Sequence, residues 1–278
     1  MTTTIEPTKS YFKIDWMEVF DYRDLLMLLA KRDVTIVYKQ TVLGPLWFLI
    51  QPIITAVVFT VIFGNVAKIP TDGIPPVVFY MSGIVFWNYF QGILNGSGTV
   101  FVSNASLLSK VYFPRLVMPL STVLSNLPYL VLNMLIFVVF YLYYNLFKGA
   151  VMQPSVWLFA MPLLIAYTAA VGLGFGLWVA ALTTKYRDLR FALPFVLQIW
   201  MYATPIVYPA SGVVNPLYRT IMWLNPVSLA IEANRFMFTG QTVLTGTALL
   251  IGLGITSFVL FSGLVLFNKV QSNFVDTI

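Results

Sequence analysis

The sequence predicts an all-α, polytopic membrane protein with six transmembrane helices. Of its 278 residues, 59% are hydrophobic and only 9% are charged, whereas soluble domains have about 25% charged residues. A helix needs about 20 mostly apolar residues to cross the hydrocarbon core of a bilayer. The stretches that meet this requirement are residues 45–66, 77–102, 117–147, 156–183, 191–208 and 244–267. We therefore assign residues 45–278 to a transmembrane domain and residues 1–44 to a cytoplasmic N-terminal segment.

The N-terminal segment contains a predicted amphipathic helix over residues 22–40. At about 100° per residue, its polar and apolar residues fall mostly on opposite arcs. The polar arc comprises Asp24, Lys31, Arg32, Thr35 and Lys39, and the apolar arc comprises Leu25, Leu26, Leu29, Ile36 and Val37. The pattern favours a helix that lies at the cytoplasmic membrane interface. The alternative is a solvated helix that packs against the next span.

The 103–114 loop, between the second and third predicted spans, predicts a short cytoplasmic helix. Ser103 or Asn104 supplies a cap, and Pro114 stops the helix. Leu107, Leu108 and Val111 give it a short apolar face, and Lys110 and Arg115 add charge. Such a helix suits the docking of a soluble partner, and an ordinary loop is the alternative.

The 209–241 segment predicts a re-entrant outer helical hairpin before the last span. Its two helices begin at Asn215-Pro216 and Asn225-Pro226, where Asn caps the helix and Pro suits the first helical position. Glu232 and Arg235 lie three residues apart and are expected to pair, either structurally or as a functional latch. A plain extracellular hairpin is the alternative.

Lys and Arg counts in the loops favour an orientation with both termini in the cytoplasm. With the N-terminus inside, 12 of the 16 basic residues lie in inside segments and four lie outside. Without the N-terminal tail the ratio is six to four, which is only a weak preference. The basic excess is therefore a topology signal, and it does not indicate a nucleic-acid partner.

Several classes of chemistry are excluded or disfavoured. The chain has no Cys and no His, which removes disulfides, thiol nucleophiles and imidazole-based mechanisms. All ten carboxylates fall outside the predicted spans, which argues against a proton- or sodium-driven carrier. The chain lacks a GxxxxGK[ST] phosphate loop. Gly172, Gly174 and Gly176 lie inside an apolar span, where close helix packing explains them better than nucleotide binding.

Three predicted spans have a polar or mixed face. These faces are Phe48, Gln51, Thr55 and Phe59 in the first span, Asn88, Gln91, Asn95 and Thr99 in the second, and Phe191, Phe195, Gln198 and Tyr202 in the fifth. Amides that face lipid lack hydrogen-bond partners, so these faces are predicted to point inward. Aromatic rings stack on sugar C–H surfaces and amides bond hydroxyls, as a sugar-carrying wall requires. The alternative is hydrogen bonding between helices alone.

Four blocks of the sequence carry a family resemblance. They are DLLMLLAKRDVTIVYKQTVLGPLWFLIQP (24–52), NASLLSKVYFPRLVMPL (104–120), KYRDLRFALPFVLQIWMYATPIVYP (185–209) and LNPVSLAIEANR (224–235). In this order the blocks resemble the permeases of type-2 ABC exporters. They most resemble the O-antigen and related polysaccharide or teichoic-acid exporters, and the resemblance covers nearly the whole chain.

The resemblance implies a half-transporter of the bacterial inner (plasma) membrane that is not itself an enzyme. Two copies would form a homodimer with a channel along its axis, and two copies of a cytoplasmic ABC ATPase would dock below. The implied cargo is a lipid-linked polysaccharide. ATP and Mg²⁺ are used by the partner subunit, so this chain is expected to bind no cofactor and no metal.

The resemblance also implies roles for three sets of residues. The channel set is Phe48, Gln51, Thr55, Phe59, Phe191, Phe195, Gln198 and Tyr202. The set that couples to the ATPase is Lys31, Lys39, Ser103, Asn104, Leu107, Leu108, Lys110 and Val111. The outer-gate set is Arg219, Met222, Trp223, Glu232, Arg235 and Phe236.

Two other functions remain open from the sequence. A membrane-embedded glycosyl- or phosphoglycosyl-transferase would need an acidic or metal-binding pair at the interface. The N-terminal acids Asp15, Asp21, Asp24 and Asp33 lack an Asp-x-Asp arrangement. A small-molecule exporter of the same superfamily is the other alternative.

Overall fold

The computed structural model describes residues 16–39, 46–104, 107, 110–186, 188–241 and 243–274, and the regular structure in these ranges is helical. The helices are α1 (Trp16–Asp21), α2 (Arg23–Lys39), α3 (Trp47–Phe59), α4 (Pro76–Gly98), α5 (Val100–Ser103), α6 (Val117–Phe147), α7 (Met161–Lys185), α8 (Leu189–Ala203), α9 (Pro216–Leu224), α10 (Pro226–Thr239) and α11 (Gly246–Phe274). A π-helix over Thr60–Val66 continues α3, and 3-10 turns cover Val156–Ala160 and Ala210–Gly212. The predicted all-α class is confirmed.

Five helical segments in the described ranges are long and apolar enough to cross a membrane. They are Trp47–Val66, Pro76–Gly98, Val117–Phe147, Val156–Lys185 and Gly246–Val270. The remaining predicted span, 191–208, forms the 15-residue α8. This helix ends because Thr204 adopts an extended backbone before Pro205, where the α conformation is disfavoured. A crossing by α8 stays a prediction.

Helix α4 is the central helix of the bundle. Within the most apolar part of each candidate span, 78% of the residues of α4 are buried, against 17–33% in the other four. It packs against α3, α6, α7, α8 and α10. Large side chains such as Phe86, Trp87 and Phe90 are at most 1% exposed. The hydrophobic core therefore surrounds α4, and the other spans leave most of their surface uncovered.

Glycines of α7 let two neighbouring helices, α4 and α11, approach it closely. A Cβ placed at Gly176 of α7 would lie 2.6 Å from Ser97 Cβ on α4. A Cβ at Gly174 would lie 3.0 Å from the backbone of Leu260 on α11. The predicted role of these glycines in helix packing is confirmed.

Helix α2 packs along α6 with its predicted apolar arc. Leu29 is 2% exposed and belongs to a cluster, here called the Phe101 cluster, that also contains Val100, Phe101, Phe113, Leu116, Val117 and Phe267. Leu25 and Leu26 pack against the same cluster, whereas Ile36 is exposed. Three of the five residues of the apolar arc thus pack against protein, as the alternative of a packed helix expects, although the helix that they pack along is α6 and not the next span, α3. The interfacial position stays a prediction.

The two helices predicted at the Asn-Pro pairs are α9 and α10. The side-chain oxygen of Asn215 accepts the Leu217 N–H at 2.9 Å, and that of Asn225 accepts the Val227 N–H at 3.1 Å. Gly240 ends α10 with a left-handed φ of 71°. Helix α10 packs against α4, α7 and α11, and 12 of its 14 residues are buried. It is therefore part of the core of the bundle.

Candidate functional site

A stripe of amides interrupts the burial of α4. Asn88, Gln91 and Asn95 are half-buried, while most of the helix around them is fully buried. No hydrogen bond joins their side chains to any other described residue. We call these three residues the amide stripe. Hydrogen bonding between helices was the alternative explanation for this polar face. Among the described residues of one copy, such bonds are not observed for the amide stripe.

Helix α8 exposes the face on which four predicted channel residues lie. Phe191 and Phe195 are each 71% exposed, Tyr202 is 47% exposed, and Gln198 is also exposed. The opposite face is held by Leu197, which is fully buried. Helix α8 packs on α4 and α7, and Trp200 packs edge-on against Phe90 of α4 at 5.1 Å between ring centroids. The helix therefore offers an aromatic and amide surface that the described chain does not cover.

The predicted channel residues of α3 do not share one environment. Gln51 is exposed, and Thr55 is half-buried with its hydroxyl donated to the Gln51 carbonyl at 2.9 Å. Phe48 is half-buried and stacks on Tyr129 of α6, with ring centroids 4.2 Å apart. This contact turns its ring toward another helix.

Phe59 departs furthest from the predicted channel face of α3. It is only 7% exposed and packs edge-on against Phe63 and Tyr80. The physical reason is the approach of α4, which covers this part of α3. Within one copy, Phe59 is a core residue. Of the four predicted channel residues of α3, only Gln51 is exposed.

The 103–114 loop begins with a helical turn. The Leu107 N–H donates to the Asn104 carbonyl at 3.0 Å, and the Val111 N–H donates to the Leu107 carbonyl at 3.2 Å. Lys110 and Val111 are exposed, but Leu107 packs against the Phe101 cluster. Leu107 is therefore partly engaged within the chain.

The rest of the predicted coupling set is partly described. Ser103 ends α5 and is exposed, and Lys31 is exposed on α2. Leu108 and the side chain of Lys39 lie outside the described residues. Arg32 was not among the predicted coupling residues, yet its Nη2 donates to Asn104 Oδ1 at 3.1 Å and so joins α2 to the loop.

A buried ion pair fixes α10 inside the bundle. Arg235 Nη1 donates to Glu232 Oε1 at 2.5 Å, and both side chains are less than 10% exposed. Arg235 also donates to Ser82 Oγ at 3.2 Å and to the Ile206 carbonyl at 3.1 Å, and its guanidinium lies 3.7 Å from the Phe79 ring centroid. Burial raises the pKa of Glu232, and the guanidinium opposes that shift. These contacts favour the structural pair over a latch.

A second polar network ties α10 to α7 and α8. Asn225 accepts the Trp200 indole N–H at 3.1 Å and donates to Thr204 Oγ1 at 2.8 Å. The Tyr167 hydroxyl donates to the Pro226 carbonyl at 2.9 Å. Asn225 was predicted only as a cap, and its second role depends on residues that are distant in sequence.

The predicted outer-gate residues divide between surface and core. Arg219 is exposed, and Phe236 is half-buried. Met222 and Trp223 are buried in a small cluster with Ala248. A cavity of about 140 Å³ lies beside the ion pair, and its lining includes Asp72, Ser211, Glu232 and Arg235. A gating role for this set stays a prediction.

Comparison with known proteins places these features in a family. Residues 24–239 match the family model for the ABC-2 type transporter. The chain is 28% identical over 255 residues to the O-antigen export system permease protein RfbA of Klebsiella pneumoniae, which covers 91% of this chain and 94% of the relative. It is 28% identical over 266 residues to the protein of that name from Myxococcus xanthus, with 94% and 98% covered.

A more distant relative is a putative transport permease, ycf38, of Pyropia yezoensis. It is 28% identical over 202 residues, with 69% of this chain and 66% of the relative covered. The matched region of the family model runs from α2 to the end of α10, so it includes the amide stripe, the exposed face of α8 and the buried ion pair. With a helical membrane fold and a match of this extent, the chain belongs to the ABC-2 type transporter family.

Proposed function

We propose that this chain is the membrane subunit of an ATP-driven exporter of a lipid-linked polysaccharide. The observation that carries the proposal is the amide stripe of α4, which has no side-chain hydrogen bond to the described residues although a fully packed core lies beside it. An amide that faces lipid loses its hydrogen bonds with water, which costs several kcal/mol per group. The stripe is therefore expected to face a wet path, where a glycan offers hydroxyl groups along its whole length.

The exposed face of α8 supplies the second component of such a path. Phe195 is 71% exposed and Tyr202 is 47% exposed, and Gln198 lies between them in sequence. Rings of this kind stack on the C–H faces of sugars and tolerate sliding, because stacking does not fix one pose. Helices α4 and α8 pack against each other, which supports a common path. The similarity to O-antigen export permeases agrees with a polysaccharide as cargo.

The remaining parts of the proposal are supported by family membership. Two copies of the chain form a homodimer around the path, and a cytoplasmic ABC ATPase binds ATP and Mg²⁺ and drives transport. The ATPase engages the 103–114 loop, where Lys110 and Val111 are exposed. Helix α8 is the fifth of six crossings of a bacterial inner membrane, both termini lie in the cytoplasm, and the 209–241 segment closes the path on the outside.

Cysteines on the exposed face of α8 are expected to react with a small, polar thiol reagent. Phe195→Cys and Tyr202→Cys are suitable because the chain contains no other cysteine. The matched control is Leu250→Cys on α11, where the native side chain is 72% exposed but the surrounding surface is apolar. Mass spectrometry of membranes that contain the full complex gives the extent of labelling. Equal protection at all three positions would place the α8 face in lipid.

Replacing the amide stripe by leucine is expected to stop export without unfolding the protein. The triple variant Asn88→Leu, Gln91→Leu and Asn95→Leu should lower the rate of glycan export at least tenfold, because the path loses its hydrogen-bonding groups. Half-buried amides without partners contribute little to stability, so the amount of folded complex should not fall. The measurement is the glycan that appears on the outer side of cells that contain the ATPase partner.

The conservative variant Asn88→Gln with Asn95→Gln is the control, because it keeps amides at both positions and should export at a near-normal rate. A glutamine variant that fails as badly as the leucine variant would point to packing rather than hydrogen bonding. Full export by the triple leucine variant would contradict the assigned path.

A further inference from the structure

The side chain of Arg32 joins two elements that are 72 residues apart in sequence. Its Nη2 donates to Asn104 Oδ1 at 3.1 Å. The same guanidinium is held by its neighbour Asp33, which accepts from Nε at 2.9 Å and from Nη2 at 2.8 Å. Two bonds to one carboxylate oxygen fix the plane of the guanidinium, so its remaining donors have a defined direction.

Asn104 is the residue at which the helical turn of the 103–114 loop begins. Its Nδ2 donates to the Val100 carbonyl at 3.3 Å, and its own carbonyl accepts the Leu107 N–H at 3.0 Å. Asn104 therefore contacts Val100 of α5 and Arg32 of α2 through its side chain, and Leu107 through its backbone carbonyl. A displacement of the loop must either move α2 or break the bond to Arg32.

The packing of α2 provides a second contact between this helix and the 103–114 loop. Leu29, three residues before Arg32, is 2% exposed in the Phe101 cluster, and Leu107 of the loop packs against that cluster. Helix α2 also lies along α6, the helix that follows the loop. The loop is thus bounded by α5 before it, α6 after it and α2 beside it.

We propose that Arg32 is a positioning residue that links the motion of the 103–114 loop to α2 and, through α2, to α6. The inference rests on the proposed function, because it concerns how force from the ATPase reaches the membrane helices. Arg32 contacts neither cargo nor nucleotide. It acts through Asn104, and Asp33 orients it. Loss of the bond lets the loop move alone, so ATP is hydrolysed without transport.

The test compares export with hydrolysis in vesicles that hold the permease and its ATPase with lipid-linked glycan. Arg32→Ala and Asn104→Ala are each expected to lower the glycan exported per ATP hydrolysed at least tenfold, while the hydrolysis rate stays within about twofold. The double variant should be no worse than either single variant, because both changes remove one interaction. Asn104→Asp keeps an acceptor for Arg32 and should retain coupling only while Arg32 is present.

The matched control is Arg23→Ala, which removes the same side chain from the same helix at an exposed position. Its ratio of export to hydrolysis should equal that of the wild type. A wild-type ratio in Arg32→Ala, or additive losses in the double variant, would overturn the inference. A wild-type complex that hydrolyses ATP but exports no glycan would instead contradict the proposed function.

Discussion

Replacing Arg235 with methionine is expected to destabilise the protein by about 3–5 kcal/mol, because it leaves the Glu232 carboxylate buried without its partner. The change also removes the bonds to Ser82 Oγ and to the Ile206 carbonyl, which join α10 to α4 and to the chain after α8. Thermal unfolding of the purified protein, followed by the fluorescence of its seven tryptophans, should shift by an amount on the order of 10 °C.

The pH dependence of the stability of Arg235→Met shows whether the unpaired Glu232 carboxylate causes the destabilisation. Burial raises the pKa of Glu232, and removal of the guanidinium takes away the charge that opposes the shift. A carboxyl whose pKa is raised by folding binds more protons in the folded state, so stability falls as the pH rises between its unfolded and folded pKa values. The loss of stability caused by Arg235→Met should therefore be smaller at pH 5 than at pH 7.

The double variant Glu232→Leu with Arg235→Met is the control. Removal of both charges leaves no buried ion, and replacement of such a pair by apolar residues is often neutral or stabilising. The double variant should therefore unfold closer to the wild-type temperature than Arg235→Met does. If both variants unfold at the same reduced temperature, the loss comes from packing around α10 and not from the unpaired carboxylate.

Replacing Gly176 with valine is expected to cost about 3 kcal/mol, at the upper end of the usual range for overpacking. The new Cβ would lie 2.6 Å from Ser97 Cβ and 3.3 Å from the Leu94 carbonyl oxygen, so α7 and α4 must separate. That separation also strains the bond from Thr183 Oγ1 to the Gly98 carbonyl, which measures 3.1 Å. The unfolding temperature in detergent and the yield of monodisperse protein measure the effect.

Gly254 of α11 provides a matched control, because it is exposed and a Cβ there would meet nothing within 4 Å. Gly254→Val should be neutral or slightly stabilising, since glycine is a poor helix residue. Equal losses at the two positions would mean that the close contact between α4 and α7 does not set the cost.

Local features of the sequence determined much of the fold. The Asn-Pro pairs at 215–216 and 225–226 fix the starts of α9 and α10 because a cap involves only residues within one turn. Hydropathy located the five helices of spanning length, since burial in lipid depends on each stretch alone. Helical spacing also placed Phe191, Phe195, Gln198 and Tyr202 on one face of α8, which is exposed.

Only the tertiary structure decided which polar groups are satisfied. The spacing of Glu232 and Arg235 predicted that they pair, but only the fold places Ser82, Phe79 and the Ile206 carbonyl around the pair, where they offset its desolvation. The burial of Phe59 and the bond from Arg32 to Asn104 arise in the same way from residues distant in sequence. The amides of α4 differ, because none of the described residues that the fold places beside them forms a hydrogen bond with their side chains. A pattern within one helix specifies its faces, but the free energy of a polar group depends on what other segments place beside it.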